Sequence, residues 1–290
     1  MENSKIISYL RAFFELKIYR IFYFLIFLYP LYEPFKYVLL FIIADVVYEG
    51  IENIFKKKPA RELREPVLYH PNLFVQSFMQ LIGIGCRTFY KPPKSIDWHT
   101  FTNTASFQLP FKGKWYVYNG GLTKKNSHSW SIYNQRYAYD FVMMDESNKS
   151  YHEDAGKTED YYCFGAEVVC PADGKVIKVN DGMTDYDKPG SINYWTKDFR
   201  GNFLMIKHNN KEFSFIAHFK SNSIRVKEGQ AVKQGELLGY CGNSGHSTEP
   251  HIHFHVQDSA SFYWGVGVPI KFASLENGWL NNGVVVENKK

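Results

Sequence analysis

From residue 95 onward the chain runs in short apolar or alternating stretches, each closed by turn residues. Strand-like runs occupy residues 105–109, 115–118, 137–143, 167–170, 174–179, 202–208, 212–218, 237–241 and 251–257. Asp173-Gly174, Asp181-Gly182, Asn209-Asn210, Gly229 and Gly235 punctuate them. Runs of that length, bounded by Gly, Asn and Asp, predict a mainly β fold, a β-sandwich or barrel. Lys112-Gly113-Lys114 is expected to join the first two runs, and Gly120-Gly121 to end the second. The polar stretch 181–201 holds Pro189-Gly190 and several aromatics, and reads as a surface loop beside a groove.

The first third follows another pattern. Residues 21–32 and 35–48 are apolar and aromatic, with Glu33-Pro34 between them. A spanning helix needs about 20 apolar residues. Joined, the two halves carry Pro30, Glu33, Pro34 and Lys36 near the middle, where charge is costly. Three readings stay open: one imperfect span with protein partners, a re-entrant or in-plane hairpin, or a soluble aromatic helical pair. No small-residue cleavage pattern follows the first apolar run, so a signal peptide of the usual kind is not expected. Arg11, Lys17 and Arg20 precede the block, and Lys56-Lys57-Lys58 and Arg61 follow it, which leaves orientation open. Residues 50–71 read as a linker, 72–86 as a short helix packing under the β domain, and 91–94 as a stiff connector. The expected division is 1–94, an N-terminal helical, membrane-like anchor and linker, and 95–290, one β-rich domain.

Composition narrows the class. Of 290 residues, 45% are hydrophobic and 22% charged, which excludes a disordered chain and a coiled coil. A mean hydropathy of -0.33 excludes a polytopic membrane protein. Net charge is +5, with one short basic run, Lys56-Lys57-Lys58. That argues against nucleic acid and fits an anionic envelope surface. None of Cys86, Cys163, Cys170 and Cys241 forms a CxxC pair, so a thiolate zinc site is not expected. Cys163 and Cys170 are either reduced core thiols or bridged.

The histidines carry the chemistry. In a strand, His251, His253 and His255 share one face, and Ile252, Phe254 and Val256 share the other. Three imidazoles on one face waste a packing surface unless they hold a metal or move protons. A catalytic zinc takes about three protein ligands and keeps a position for water. His253 can supply one. Asp140 lies on a strand face flanked by Ala138 and Val142, an unusual place for an acid without a partner. His128, twelve residues earlier, is the one histidine between residues 100 and 151. His218 closes another strand beside a loop.

Ser247-Thr248-Glu249-Pro250-His251-Ile252-His253-Phe254 resembles the HxH motif of the lysostaphin/LytM-type zinc metallopeptidases. Residues 213–219 resemble that family's strand ending in Ala-His. Pro171-Ala172-Asp173-Gly174-Lys175-Val176 is similar to its hairpin. Residues 226–235 resemble its double turn, followed by Leu238-Gly239 and Gly242-Asn243-Ser244-Gly245. These pieces keep the family's order across roughly 126–258. The resemblance implies an antiparallel β core with a groove, one Zn2+ held by His128, Asp140 and His253, and a catalytic pair, His218 and His251. Two departures stand out. The family usually spaces its first His and Asp by four, here by twelve. Glu commonly follows HxH by two, and here His255 stands there, either supporting the site or carrying a proton.

The function expected from the resemblance is zinc-dependent hydrolysis of peptide bonds in bacterial peptidoglycan cross-links, at a membrane-associated place in the cell envelope. Tyr186, Tyr194 and Trp195 in the 181–201 loop are candidates for the groove wall. An inactive peptidoglycan-binding or hydrolase-activating module of the same fold is the alternative; all five expected site positions hold suitable residues, which favours the enzyme. A lipoyl-like carrier shares the double turn but has no use for HxH.

Overall fold

The structure is a computed structural model, and it describes residues 70–89, 98–152 and 154–288. The membrane-like block at 21–48, all but the last two residues of the linker read at 50–71, and the connector at 91–94 lie outside the described residues. The described residues belong to one compact unit, Val67–Lys290. Among them no helix is long and apolar enough to cross a membrane.

The main sheet has nine strands, all antiparallel. In chain order these are β1 (Gly113–Asn119), β2 (Tyr139–Val142), β4 (Gly174–Asn180), β5 (Phe203–Lys207), β6 (Phe213–Ala217), β7 (Ala231–Val232), β9 (Ile252–Gln257), β10 (Gly267–Val268) and β11 (Val285–Asn288). Across the sheet the order is β11-β1-β2-β9-β6-β5-β4-β7, with β10 also pairing β9. β3 (Glu167–Val169) and β8 (Leu237–Tyr240) form a second, two-stranded sheet.

Side chains alternate across the main sheet and give it two unlike faces. Tyr139, Phe141, Leu204, Ile216, Ile252 and Phe254 point into the large core shared with the small sheet. The other face carries a smaller apolar cluster, Phe203, Met205, Phe215, Ala217 and Phe262. Register places Asp140, His253 and His255 on that second face.

Three expectations need correction. Residues 105–109 do not form a strand; Phe107 makes one isolated bridge, to Phe272. The segment is apolar because Phe107, Leu109 and Phe111 plug the core, which buries side chains without a ladder. Lys112-Gly113-Lys114 therefore makes no hairpin, and β1 pairs instead with β2 and with β11 from the far end of the chain. Third, the helix read at 72–86 does form, as α1 (Pro71–Phe89), but it lies along the second face rather than under the sheet. Gln80 Nε2 donates to Asn134 Oδ1 (3.2 Å) and Arg87 Nε to the Trp264 carbonyl (2.8 Å). Gly83 sits so close to the Tyr263 backbone that a Cβ there would overlap the carbonyl oxygen. All four cysteines are free, which answers the question of a bridge between Cys163 and Cys170.

Candidate metal centre

The centre is built on the middle of the sheet. β9 lies between β2 and β6, and His253 faces Asp140 on one side and Ala217 on the other. Cross-strand partners share a face, so register alone sets imidazole beside carboxylate. His253 Nδ1 lies 2.8 Å from Asp140 Oδ1. The other oxygen, Oδ2, accepts from Asn119 Nδ2 at 3.0 Å and lies 3.5 Å from His128 Nε2.

His128 arrives from a loop, and the loop explains the twelve-residue spacing. Ser127 Oγ donates to the Arg136 carbonyl (2.7 Å) and closes the loop at its base. The Arg136 guanidinium packs over the rings of Trp130 and Tyr133 and bonds the Trp130 carbonyl. The extra residues fold outward as a small packed unit. His128 is thereby returned to the head of β2, beside Asp140.

His218 and His251 close the other side, their ring centroids 4.7 Å apart. His218 follows the last residue of β6 and has φ +66°, a left-handed conformation costing of order 1–3 kcal/mol off glycine. It is held there by two contacts. Its carbonyl accepts from Gly242 N–H (2.9 Å), and its Nδ1 donates to the Ser244 carbonyl (2.7 Å). Gly245 (φ +80°) makes that turn possible: a Cβ would overlap the Gly201 backbone. His251 Nδ1 donates to the Glu249 carbonyl at 2.8 Å. A carbonyl only accepts, so both rings carry their proton on Nδ1, and a neutral ring then offers the Nε2 lone pair. His251 Nε2 lies 3.7 Å from Asp140 Oδ1.

Burial lowers the pKa of His218 well below the usual histidine value, and the neighbouring His251 and His253 lower it further. His128 is lowered too, chiefly by burial, against the pull of Asp140. For Asp140 burial favours the neutral acid. The hydrogen bond from His253 and the nearby histidine charges outweigh that and hold the carboxyl well below the usual range.

Two trios have ligand atoms within 4.8 Å of one another: His128, Asp140 and His253, and His218, His251 and His253. The first includes a carboxylate, which offsets the charge of a divalent ion; the second is all imidazole. Two His nitrogens and one Asp oxygen fit zinc, with a position left for water. These residues face a cavity of about 650 Å3, walled by Leu81 and Ile84 of α1, Ile132, Phe199, Phe215 and Phe262. Gln80 Oε1 and His246 Nε2, both in residues of that wall, are buried without a protein partner.

All five residues expected at the site are therefore brought together. The three loop aromatics are not: Tyr186, Tyr194 and Trp195 do not line the cavity. Tyr194 packs edge-on against His246, one layer behind, and Trp195 packs on His70 at the surface. Tyr186 serves the loop, where its backbone pairs with Asn243. From that loop the cavity receives Phe199 and Arg200 instead, Arg200 being held by Asp198 through two hydrogen bonds. Sequence reading also passed over Asn119, which orients Asp140, and Gln257. The latter was findable, as the next position along the face of His253 and His255.

The arrangement defines a class: an antiparallel β domain with a three-donor candidate metal centre and two spare imidazoles. Residues 158–263 match the model of Peptidase family M23, which bears out the lysostaphin/LytM-type resemblance over that part of the chain. His128 and Asp140 precede the matched span, so their place rests on geometry. The chain is 37% identical over 98 residues to an uncharacterized metalloprotease of Haemophilus influenzae, covering 33% of this chain and 17% of that protein. It is 35% identical over 97 residues to the peptidoglycan DD-endopeptidase ShyB of Vibrio cholerae, covering 30% and 22%. The match thus spans less than a quarter of these relatives. Among solved structures, the antimicrobial peptidase lysostaphin from Staphylococcus simulans aligns at 22% identity and a TM-score of 0.33, covering 58% of this chain and 52% of that one.

Proposed function

We propose that this chain is a zinc-dependent endopeptidase that hydrolyses peptide bonds in bacterial peptidoglycan cross-links. One observation carries the reading. The three donors of a His/His/Asp centre converge beside two further imidazoles, and backbone carbonyls fix both of those with Nε2 free. A module that only binds has no need of a complete donor set with an oriented base beside it.

Zinc, when bound by His128, Asp140 and His253, supplies Lewis acidity that makes water a nucleophile near neutral pH and polarises a carbonyl. The chain's own residues do the rest. His251 Nε2 takes the proton from the attacking water. His218, neutral at the outset, relays that proton to the leaving amine as the C–N bond breaks. Such groups contribute roughly 10²–10⁴-fold each.

The peptide substrate places the protein in the cell envelope, and residues 21–48 are proposed to associate with its membrane; no nucleic-acid role is proposed. The test incubates the full chain with purified peptidoglycan, with and without chelator, and reads new termini by mass spectrometry. Chelator-sensitive cleavage is expected. Chelator-insensitive binding without cleavage would instead make the chain a binding or activating module.

A further inference from the structure

Beyond the metal centre, the buried polar row on β9 continues away from the cavity. His253 Nε2 lies 3.1 Å from His255 Nδ1, and His255 Nε2 lies 3.2 Å from Gln257 Oε1. The Gln257 amide nitrogen reaches two backbone carbonyls, Ser259 at 2.6 Å and Ser261 at 2.9 Å. His255 and Gln257 are both fully buried. The Phe215 ring stacks on His255 at 5.0 Å, and Gly265 leaves the room that the Gln257 amide fills.

Proton positions along this row follow from its far end. Two carbonyls only accept, so the Gln257 atom facing them is its NH2 group, and its oxygen faces His255. An amide oxygen only accepts, so the proton of His255 sits on Nε2. The Nδ1 of a neutral His255 is then a lone pair, and it takes a hydrogen bond from His253 Nε2–H. What remains on His253 is Nδ1, 2.8 Å from Asp140 Oδ1: in the metal-free chain it shares a proton with that carboxylate, and a bound metal would displace that proton alone.

We propose that His255 and Gln257 are positioning residues that lock the tautomer of His253, holding its proton on Nε2 and reserving Nδ1 for the metal. A ligating histidine commonly donates its other N–H to a carboxylate, a backbone carbonyl or water. Here a second histidine takes that place, and the turn at Ser259 and Ser261 sets its polarity. Both nitrogens of His255 are committed, so it is neither an extra ligand nor a proton carrier. The assignment rests on reading His253 as a metal ligand.

The experiment uses the full chain labelled with 15N-histidine. Long-range 1H–15N spectra are recorded metal-free and with added zinc. His255 is expected as the Nε2–H tautomer in both states, with His253 keeping its Nε2 proton. A His255 protonated on Nδ1, or on both nitrogens, overturns the lock. Zinc affinity supplies the second readout. His255→Gln keeps an acceptor oxygen and should bind zinc close to wild type, whereas His255→Leu should lose roughly 10–100-fold. Equal affinities for the two variants overturn the proposal. Should the leucine variant fail to fold, Gln257→Met tests the same row: His255 should then populate both tautomers, and an unchanged spectrum counts against the lock. A wild-type chain that binds no zinc would sink the metal reading, while the metal-free spectrum still decides the tautomer.

Discussion

Two faces of one strand, β9, carry opposite kinds of order. Ile252, Phe254 and Val256 enter a close-packed core in which any apolar group of the right volume satisfies the neighbours. One residue out of step, His253, His255 and Gln257 form a row in which each donor meets one acceptor. The first face is specified by volume and the second by hydrogen-bond direction. A buried polar group without its partner costs about 1–3 kcal/mol, so the second face tolerates less chemical change per atom. Six residues of backbone thus serve stability and chemistry without sharing a side chain.

The largest contrast between the faces should come from two neighbouring substitutions. His253→Ala should reduce zinc from about one per chain to none, as measured by elemental analysis, while the thermal transition of metal-free protein stays cooperative. Phe254→Ala should cost about 3–5 kcal/mol in urea unfolding, with the donor set intact in whatever fraction remains folded. If both substitutions lower zinc binding and stability alike, the two faces are not separable. Next, His251→Ala should lower kcat on peptidoglycan by roughly 10²–10⁴-fold with zinc retained, since the ring is placed beside the trio rather than in it. A smaller effect is expected for Asn119→Ala, which removes the hydrogen bond to Asp140 Oδ2. Zinc affinity measured with a competing chelator should fall by roughly 10–100-fold, with unfolding little changed. The smallest effect belongs to the core side. Burial raises the Cys170 thiol to about 12 and the Cys241 thiol well above its usual value. Alkylation of the native chain near pH 8, read by mass spectrometry, should leave both unmodified, because the thiolate is the reactive form.

Most strands were legible because their apolar positions keep a period of two over four or more residues. β9 was clearest, and its alternation assigned both faces correctly. The strands β7 and β10 were not seen, since two residues cannot display a period. β11 was missed because it sits at the end of the chain, where its short exposed–buried alternation has no turn signal after it. The run at 105–109 misled for the reverse reason. Apolar content records burial, and Phe107, Leu109 and Phe111 are buried without belonging to a strand. The loop aromatics misled similarly: Tyr194 and Trp195 pack on histidines outside the cavity wall.

The chain's local pattern was enough to establish a mainly β domain, the polar face of β9, and the short motifs whose resemblance to the lysostaphin/LytM-type peptidases implied five site residues. Each of these is a short-range property, set by side-chain alternation and turn residues. The neighbours were settled only by the folded chain. Asp140 meets His253 across 113 residues because β2 and β9 pair in one register. His128 reaches them because its loop closes on Arg136, and α1 closes the cavity from a segment with no chemistry of its own. Strand order and loop closure are chosen by the summed packing of distant segments. No local period encodes that sum, so the partners of a buried acid were readable as a need before they were readable as a place.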